Sequence, residues 1–166
     1  MTAILPNPSP HRSVETLARP LAAAHDRWMA DCDVALGPVT DRDATFLQRW
    51  AAVRYVSETF VERFHLEQEL LEELRPFILP EVRERLWMQV ERLTRLQENL
   101  ERLARQRGSA REISYCAREL LEALRLWYAE IEFAVGELPQ IEIGQRANRL
   151  LERVTGRAWL HKSLVN

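Results

Sequence analysis

The longest uninterrupted helical pattern in the chain runs from Asp43 to Leu74 and ends just before Pro76. It contains neither glycine nor proline, and its apolar residues recur at steps of three, four and seven, the spacing of one helix face. At about 1.5 Å per residue such a helix would be roughly 45–50 Å long, so it requires neighbours of similar length. The apolar residues of this face are Phe46, Trp50, Val53, Phe60, Phe64, Leu71 and Leu74.

The rest of the chain supplies three such neighbours. Apolar residues recur with helical spacing over residues 13–36, 80–106 and 109–138, and a shorter helix is predicted over 145–158. Short loops between long helices make consecutive helices antiparallel. We therefore predict an all-α fold: an antiparallel up-down four-helix bundle with a short C-terminal fifth helix. A long coiled-coil hairpin is the less favoured alternative, because aromatic residues are spread over the predicted faces.

The predicted domain organisation has three parts. Residues 1–12 are rich in proline and serine and are predicted to be disordered. Residues 13–139 form the predicted bundle, and residues 140–166 form the C-terminal helix and tail.

Three helix ends carry recognisable signals. Thr40 is the predicted N-cap of the second long helix. Gly108 is a natural residue to end the third long helix, since glycine readily adopts the left-handed conformation used there. Ser109 followed by Glu112 is the pattern of a capping box, which would open the fourth long helix.

Composition excludes several classes of function. The chain has 166 residues, which fits one domain, and its net charge of −2 gives no attraction to nucleic acid or anionic membranes. We find no secretory signal and no apolar run of about 18 residues, the length that a membrane helix needs. Cys32 and Cys116 fall on apolar faces, as expected of reduced core thiols. We therefore expect a cytoplasmic protein without a nucleic-acid or membrane partner.

The sequence offers little for catalysis. It has no glycine-rich phosphate loop, no Cys-x-x-Cys and no Gly-x-Ser-x-Gly motif. We predict no catalytic residues, and the sequence favours a protein that is not an enzyme. No cofactor is expected, with iron as the alternative.

That alternative comes from two short motifs. Residues 23–26 read Ala-Ala-His-Asp, and residues 65–69 read His-Leu-Glu-Gln-Glu. Together with the order of helices, they resemble the hemerythrin-like domains, four-helix bundles that hold two irons. The resemblance implies His25, His65, Glu69 and Glu132 as metal ligands. It also implies metal binding or oxygen handling as the function.

Helical phase favours other roles for the two histidines. His65 is rotated about 100° from the core direction marked by Phe64, beside several glutamates, so His65 and Glu69 form either a surface pair or a metal site. His25 lies on the apolar face of the first helix, where it is either a neutral histidine bonded to a neighbouring Tyr, Gln or Glu, or a ligand. The third long helix contains no histidine, and Glu62-x-x-His65 matches only half of the ferritin-like motif.

A second resemblance concerns transcription. Residues 26–29 read Asp-Arg-Trp-Met and residues 54–57 read Arg-Tyr-Val-Ser. These patches are similar to the regulator of sigma D family, all-helical bacterial proteins that bind the primary sigma factor. The Gly-His-Phe that follows the second patch in that family is absent. The resemblance implies an anti-sigma-type regulator.

Apolar residues outside the core faces suggest a contact surface. Tyr115, Leu126 and Phe133 fall within about 20° of one another, nearly opposite the core side of their helix. Trp87 and Met88 are also out of the core phase. Either the C-terminal helix or tail covers them, or they bind a protein partner or a second copy. We predict a non-catalytic interaction or regulatory module that acts through this surface.

Overall fold

The computed structural model describes residues 15–136, 138 and 144–156, and side chains from residue 18 onward. Every regular element in these residues is helical, which confirms the all-α prediction. The predicted disordered segment 1–12 and all residues after 156 lie outside the described residues. The elements are α1 (Glu15–Ala35), α2 (Gly37–Thr40), α3 (Phe46–Leu74), a 3-10 turn (Arg75–Phe77), α4 (Pro80–Arg105), α5 (Ala110–Gly136) and α6 (Gln145–Gly156).

The second long helix begins later than predicted. Thr45, not Thr40, caps α3: its hydroxyl accepts a hydrogen bond from the Gln48 N–H over 3.3 Å, and the Gln48 side chain accepts one from the Thr45 N–H over 2.7 Å. The Thr40 prediction was wrong, because Thr40 ends α2 and its hydroxyl donates to the Gly37 carbonyl. A capping box needs Glu or Gln three residues after the cap, and of these two threonines only Thr45 has such a residue there.

Helices α4 and α5 run antiparallel along each other. Arg85 pairs with Glu130 over 3.1 Å, and Arg92 pairs with Glu119 over 3.9 Å. Residue numbers therefore increase along α4 while those of their partners decrease along α5. The turn between them is tight: Arg107 adopts a φ of 54°, in the left-handed region.

Gly108 and Ser109 then connect the two helices as predicted. The Gly108 N–H donates to the Leu103 carbonyl over 2.8 Å, which closes the end of α4. The Ser109 hydroxyl accepts from the Glu112 N–H, and the Glu112 carboxylate accepts from the Ser109 N–H over 2.9 Å. The capping box is therefore confirmed, while the left-handed residue is Arg107 rather than the glycine.

Helix α3 packs against α1, α2, α4 and α6 and is therefore covered on more than one side. Helix α6 lies on α1 and α3: Arg27 donates to the Thr155 carbonyl over 3.2 Å, and Arg146 pairs with Glu73 over 3.2 Å. The described part of the C-terminal helix thus covers α1 and α3 and leaves the back of α5 uncovered.

Two further expectations can be compared with the structure. Cys32 and Cys116 are both free and buried, as predicted. Among the helices that the structure describes, none combines the length and the apolar character that spanning a membrane demands.

Candidate functional site

A buried ion pair lies at the centre of the protein. Arg63 Nε on α3 is 2.8 Å from Glu67 Oε1 one turn later, and each side chain is only 2% exposed. Trp127 on α5 donates from Nε1 to Glu67 Oε2 over 3.1 Å. The Arg63 guanidinium also lies over the rings of Trp28 at 5.4 Å and Tyr128 at 5.8 Å. Glu67 thus accepts hydrogen bonds at both oxygens, which a buried carboxylate requires.

The sequence did not reveal this pair. An arginine and a glutamate four residues apart are typical of an exposed helix surface. The one signal in the sequence was that two leucines, Leu66 and Leu70, lie close to Glu67 on α3, and the structure shows both to be buried. They widen the apolar arc of α3 beyond the direction marked by Phe64.

His25 joins this cluster from α1. It is 1% exposed, and its ring stacks on Tyr128 with centroids 4.0 Å apart. Its Nδ1 lies 2.8 Å from Glu132 Oε1, which confirms the interpretation of a core histidine bonded to a neighbouring glutamate. Its Nε2 is 3.9 Å from Glu67 Oε1 and has no hydrogen-bond partner among the described residues.

The electrostatics of the cluster favour a neutral imidazole. Burial, and then the positive charge of Arg63, lower the pKa of His25 to about 3. Nδ1 therefore carries the proton of the neutral ring, and this N–H donates a hydrogen bond to the Glu132 carboxylate. Burial raises the pKa of Glu67, although the Arg63 charge opposes this. The cluster connects α1, α3 and α5 through hydrogen bonds rather than through a reactive group.

The four candidate metal ligands are not brought together. His25 and Glu132 are in contact, but His65 and Glu69 are exposed, and Glu69 lies 4.0 Å from Arg146. No group of three or more His, Cys, Asp or Glu side chains in the described residues is arranged to hold a metal ion. The interior carries the Arg63 guanidinium, which repels a cation. These donors do not fit a two-iron centre.

The residues that resemble the sigma-regulator family mostly pack in the core or hold helices together. Trp28 is buried beneath Arg63, while Val56 and Ser57 are buried within α3. Arg27 holds the end of α6, and Arg54 pairs with Glu58 over 2.7 Å.

The five predicted interface residues are all exposed: Trp87 65%, Met88 57%, Tyr115 61%, Leu126 48% and Phe133 49%. The Arg85 guanidinium lies 6.0 Å from the Phe133 ring and pairs with Glu130. Met88 is one turn from Arg85 on α4, and Leu126 is one turn from Glu130 on α5. These residues therefore share the surface along the α4–α5 pair. We call Met88, Tyr115, Leu126 and Phe133 the outer face.

Trp87 belongs to a different surface. It lies two residues from Arg85, about 200° around α4, and so on the side away from α5. There it borders a groove of about 920 Å³ between α3 and α4. The groove was not predicted from the sequence. Its lining carries two arginines and two glutamates among mainly apolar side chains: Gln68, Leu71, Glu72, Arg75, Ile78, Pro80, Arg83, Glu84, Leu86, Trp87, Val90 and Trp127.

In comparisons with known proteins, no family model, no curated protein and no solved structure matches the chain.

Proposed function

We propose that this protein is a non-catalytic interaction module whose outer face binds a second copy of the chain. In this proposal the four long helices α1, α3, α4 and α5 form an antiparallel up-down bundle, with which their contacts are compatible. The observation that carries the proposal is the aligned, exposed row of Tyr115, Leu126 and Phe133. An aligned apolar row on an uncovered helix is typical of a contact surface.

A second copy fits this row because the row is nearly symmetric along α5. If two α5 helices pack antiparallel, Tyr115 of one copy lies opposite Phe133 of the other, with Leu126 close to the two-fold axis. The acidic residues that flank the row are paired with arginines, Glu119 and Glu130 with α4 and Glu122 with Arg125 of α5, so they add little repulsion between copies.

The available area also suits a dimer. The outer sides of α4 and α5 together measure about 40 by 20 Å, or about 800 Å², which is what each partner buries in a standard interface. The net charge of −2 adds little long-range repulsion between two copies.

Reversal of the surface tests the proposal. Sedimentation velocity over a range of concentrations should give a dimer for the wild-type protein and a folded, helical monomer for Leu126→Glu with Phe133→Glu. The matched control is Leu47→Glu, a position 70% exposed on α3, a helix that does not form the outer face, and it should leave the dimer intact.

Disulfide crosslinking tests whether the two-fold axis of the proposed dimer lies close to Leu126. Leu126→Cys should form an intermolecular disulfide on mild oxidation, and Leu47→Cys should not, while the native cysteines are buried. A wild-type protein that is monomeric at all concentrations, or a double variant that still dimerises, would contradict the proposal. A monomer that binds a different protein through Leu126 and Phe133 would support an interaction module but not self-association.

A further inference from the structure

The second ring nitrogen of His25 is a buried acceptor whose donor remains to be identified. The residue is 1% exposed, and its Nδ1–H donates to Glu132 Oε1 over 2.8 Å. Nε2 therefore presents a lone pair to the interior, and it has no hydrogen-bond partner among the described residues. Because a buried polar atom without a partner is unfavourable, a hydrogen-bond donor is expected next to this nitrogen.

The carboxylate of Glu67 lies opposite this nitrogen. Glu67 Oε1 is 3.9 Å from His25 Nε2, which is too long for a direct hydrogen bond. The separation is much shorter than twice a hydrogen bond of about 2.8 Å, so a single atom between the two can bond to both. Oε1 already accepts from Arg63 Nε over 2.8 Å, and a carboxylate oxygen has a second lone pair to offer.

The two acceptors define the chemistry of the group between them. It must donate two hydrogen bonds, one to His25 Nε2 and one to Glu67 Oε1, from a single non-hydrogen atom. The Arg63 charge beside Glu67 disfavours a cation such as ammonium at this position. A water molecule is neutral and carries two donor hydrogens on one oxygen, so it meets these requirements.

Trp28 is a second sign of unsatisfied hydrogen bonding in the same layer of the core. It lies one turn after His25 on α1, it is 1% exposed, and its ring packs against Arg63. Its Nε1–H has no acceptor among the described residues. A water oxygen accepts hydrogen bonds as well as donating them, so water in this layer suits a buried donor as well as the two acceptors.

We propose that the core binds one water molecule, which donates to His25 Nε2 and to Glu67 Oε1. This bridge joins the hydrogen bonds of the cluster into one chain. Glu132, whose side chain is 36% exposed, lies at one end, and the Glu67–Trp127 hydrogen bond lies at the other. The site depends on the core cluster and not on the outer face, so either proposal can fail without the other.

Nuclear magnetic resonance of the isotopically labelled full chain tests the proposal by cross-relaxation from water to protein protons. The probe is the Hδ2 proton of His25, which is on the ring carbon next to Nε2. We expect a signal with the sign of a long-lived bound water. His65 is the control in the same sample, because it is exposed and surface water exchanges too quickly to give this signal. The nitrogen spectrum should show the His25 ring proton on Nδ1.

Variants assign the signal to a water rather than to a protein hydroxyl. Tyr128→Phe removes the hydroxyl of the ring that stacks on His25, a group that also exchanges protons with water, and should keep the signal. His25→Phe removes the acceptor, so magnetic relaxation dispersion of the solvent should count one long-lived water fewer than in the wild type. His65→Phe should leave that count unchanged. Circular dichroism checks that each variant is folded.

Four results would each overturn the proposal. They are no cross-relaxation at His25 Hδ2, a ring proton on Nε2 in place of Nδ1, loss of the signal in Tyr128→Phe, and an unchanged count of long-lived waters in His25→Phe. A proton on Nε2 would make His25 itself the donor that faces Glu67. If His25→Phe does not fold, the spectra of the wild type and of Tyr128→Phe decide.

Discussion

Trp127 on α5 donates a hydrogen bond to Glu67 on α3 over 3.1 Å, and both side chains are buried. The same tryptophan forms part of the floor of the α3–α4 groove. The buried ion pair of Glu67 with Arg63 therefore does more than fix the packing of α3. It also sets the position of the groove floor, so changes in the cluster should affect stability and groove alike.

The ion pair should be sensitive to loss of one partner. Glu67→Gln removes the carboxylate that neutralises the buried Arg63, so we expect the free energy of unfolding to fall by about 3–5 kcal/mol. Urea denaturation measures this change. Replacing both residues by methionine removes both charges and should cost less than the single change. A double variant less stable than Glu67→Gln would contradict this explanation.

Stability should fall in mild acid because of His25. Its pKa is lowered from 6.5 to about 3 in the fold, so the unfolded chain binds a proton at pH values where the folded protein does not. The contribution of His25 is therefore complete above pH 6.5 and is lost as the pH falls toward about 3. Between pH 7 and 5 the wild type should lose about 2 kcal/mol more than His25→Gln does.

The glutamates of the cluster act in the opposite direction. Burial raises the pKa values of Glu67 and Glu132, so their contributions are present at low pH and decrease as the pH rises through the raised values. The comparison with His25→Gln, by urea denaturation at each pH, removes the part of this background that does not depend on contact with His25. Parallel pH profiles for the two proteins would exclude His25 as the cause.

Iron should not be retained by the protein. The Arg63 charge and the exposure of His65 and Glu69 argue against a cation site in the core. Elemental analysis of protein produced with added iron should give far less than one iron per chain. Stoichiometric iron that is lost in His25→Ala would refute this expectation and favour the hemerythrin-like alternative.

Gly108 should be required at the α4–α5 turn. A Cβ at this position would lie 3.1 Å from the Leu103 carbonyl oxygen, the acceptor that closes α4. We expect Gly108→Ala to lower the free energy of unfolding by about 1 kcal/mol, a typical effect of local crowding. Gly37→Ala is the control, since no atom of the described residues lies within 4 Å of a Cβ there. Equal melting temperatures for the two variants would count against the crowding.

The sequence by itself determined the helices, the Ser109–Glu112 capping box and the inward position of His25. These features depend on backbone geometry and on residues within a few positions of one another, which the order of residues contains. The exposure of His65 followed from the same periodicity. So did the exposure of Leu126 and Phe133.

Only the tertiary structure decided that Arg63 and Glu67 are buried, that Glu132 is the partner of His25, and that Trp87 borders a groove apart from the outer face. The physical reason is that the burial of a helix flank depends on how many other helices pack against it. Helix α3 has neighbours on several sides, so residues well away from the direction of Phe64 are covered too. A charged pair four residues apart has the same sequence pattern in water and in a core, and only distant segments of the chain determine which environment surrounds it.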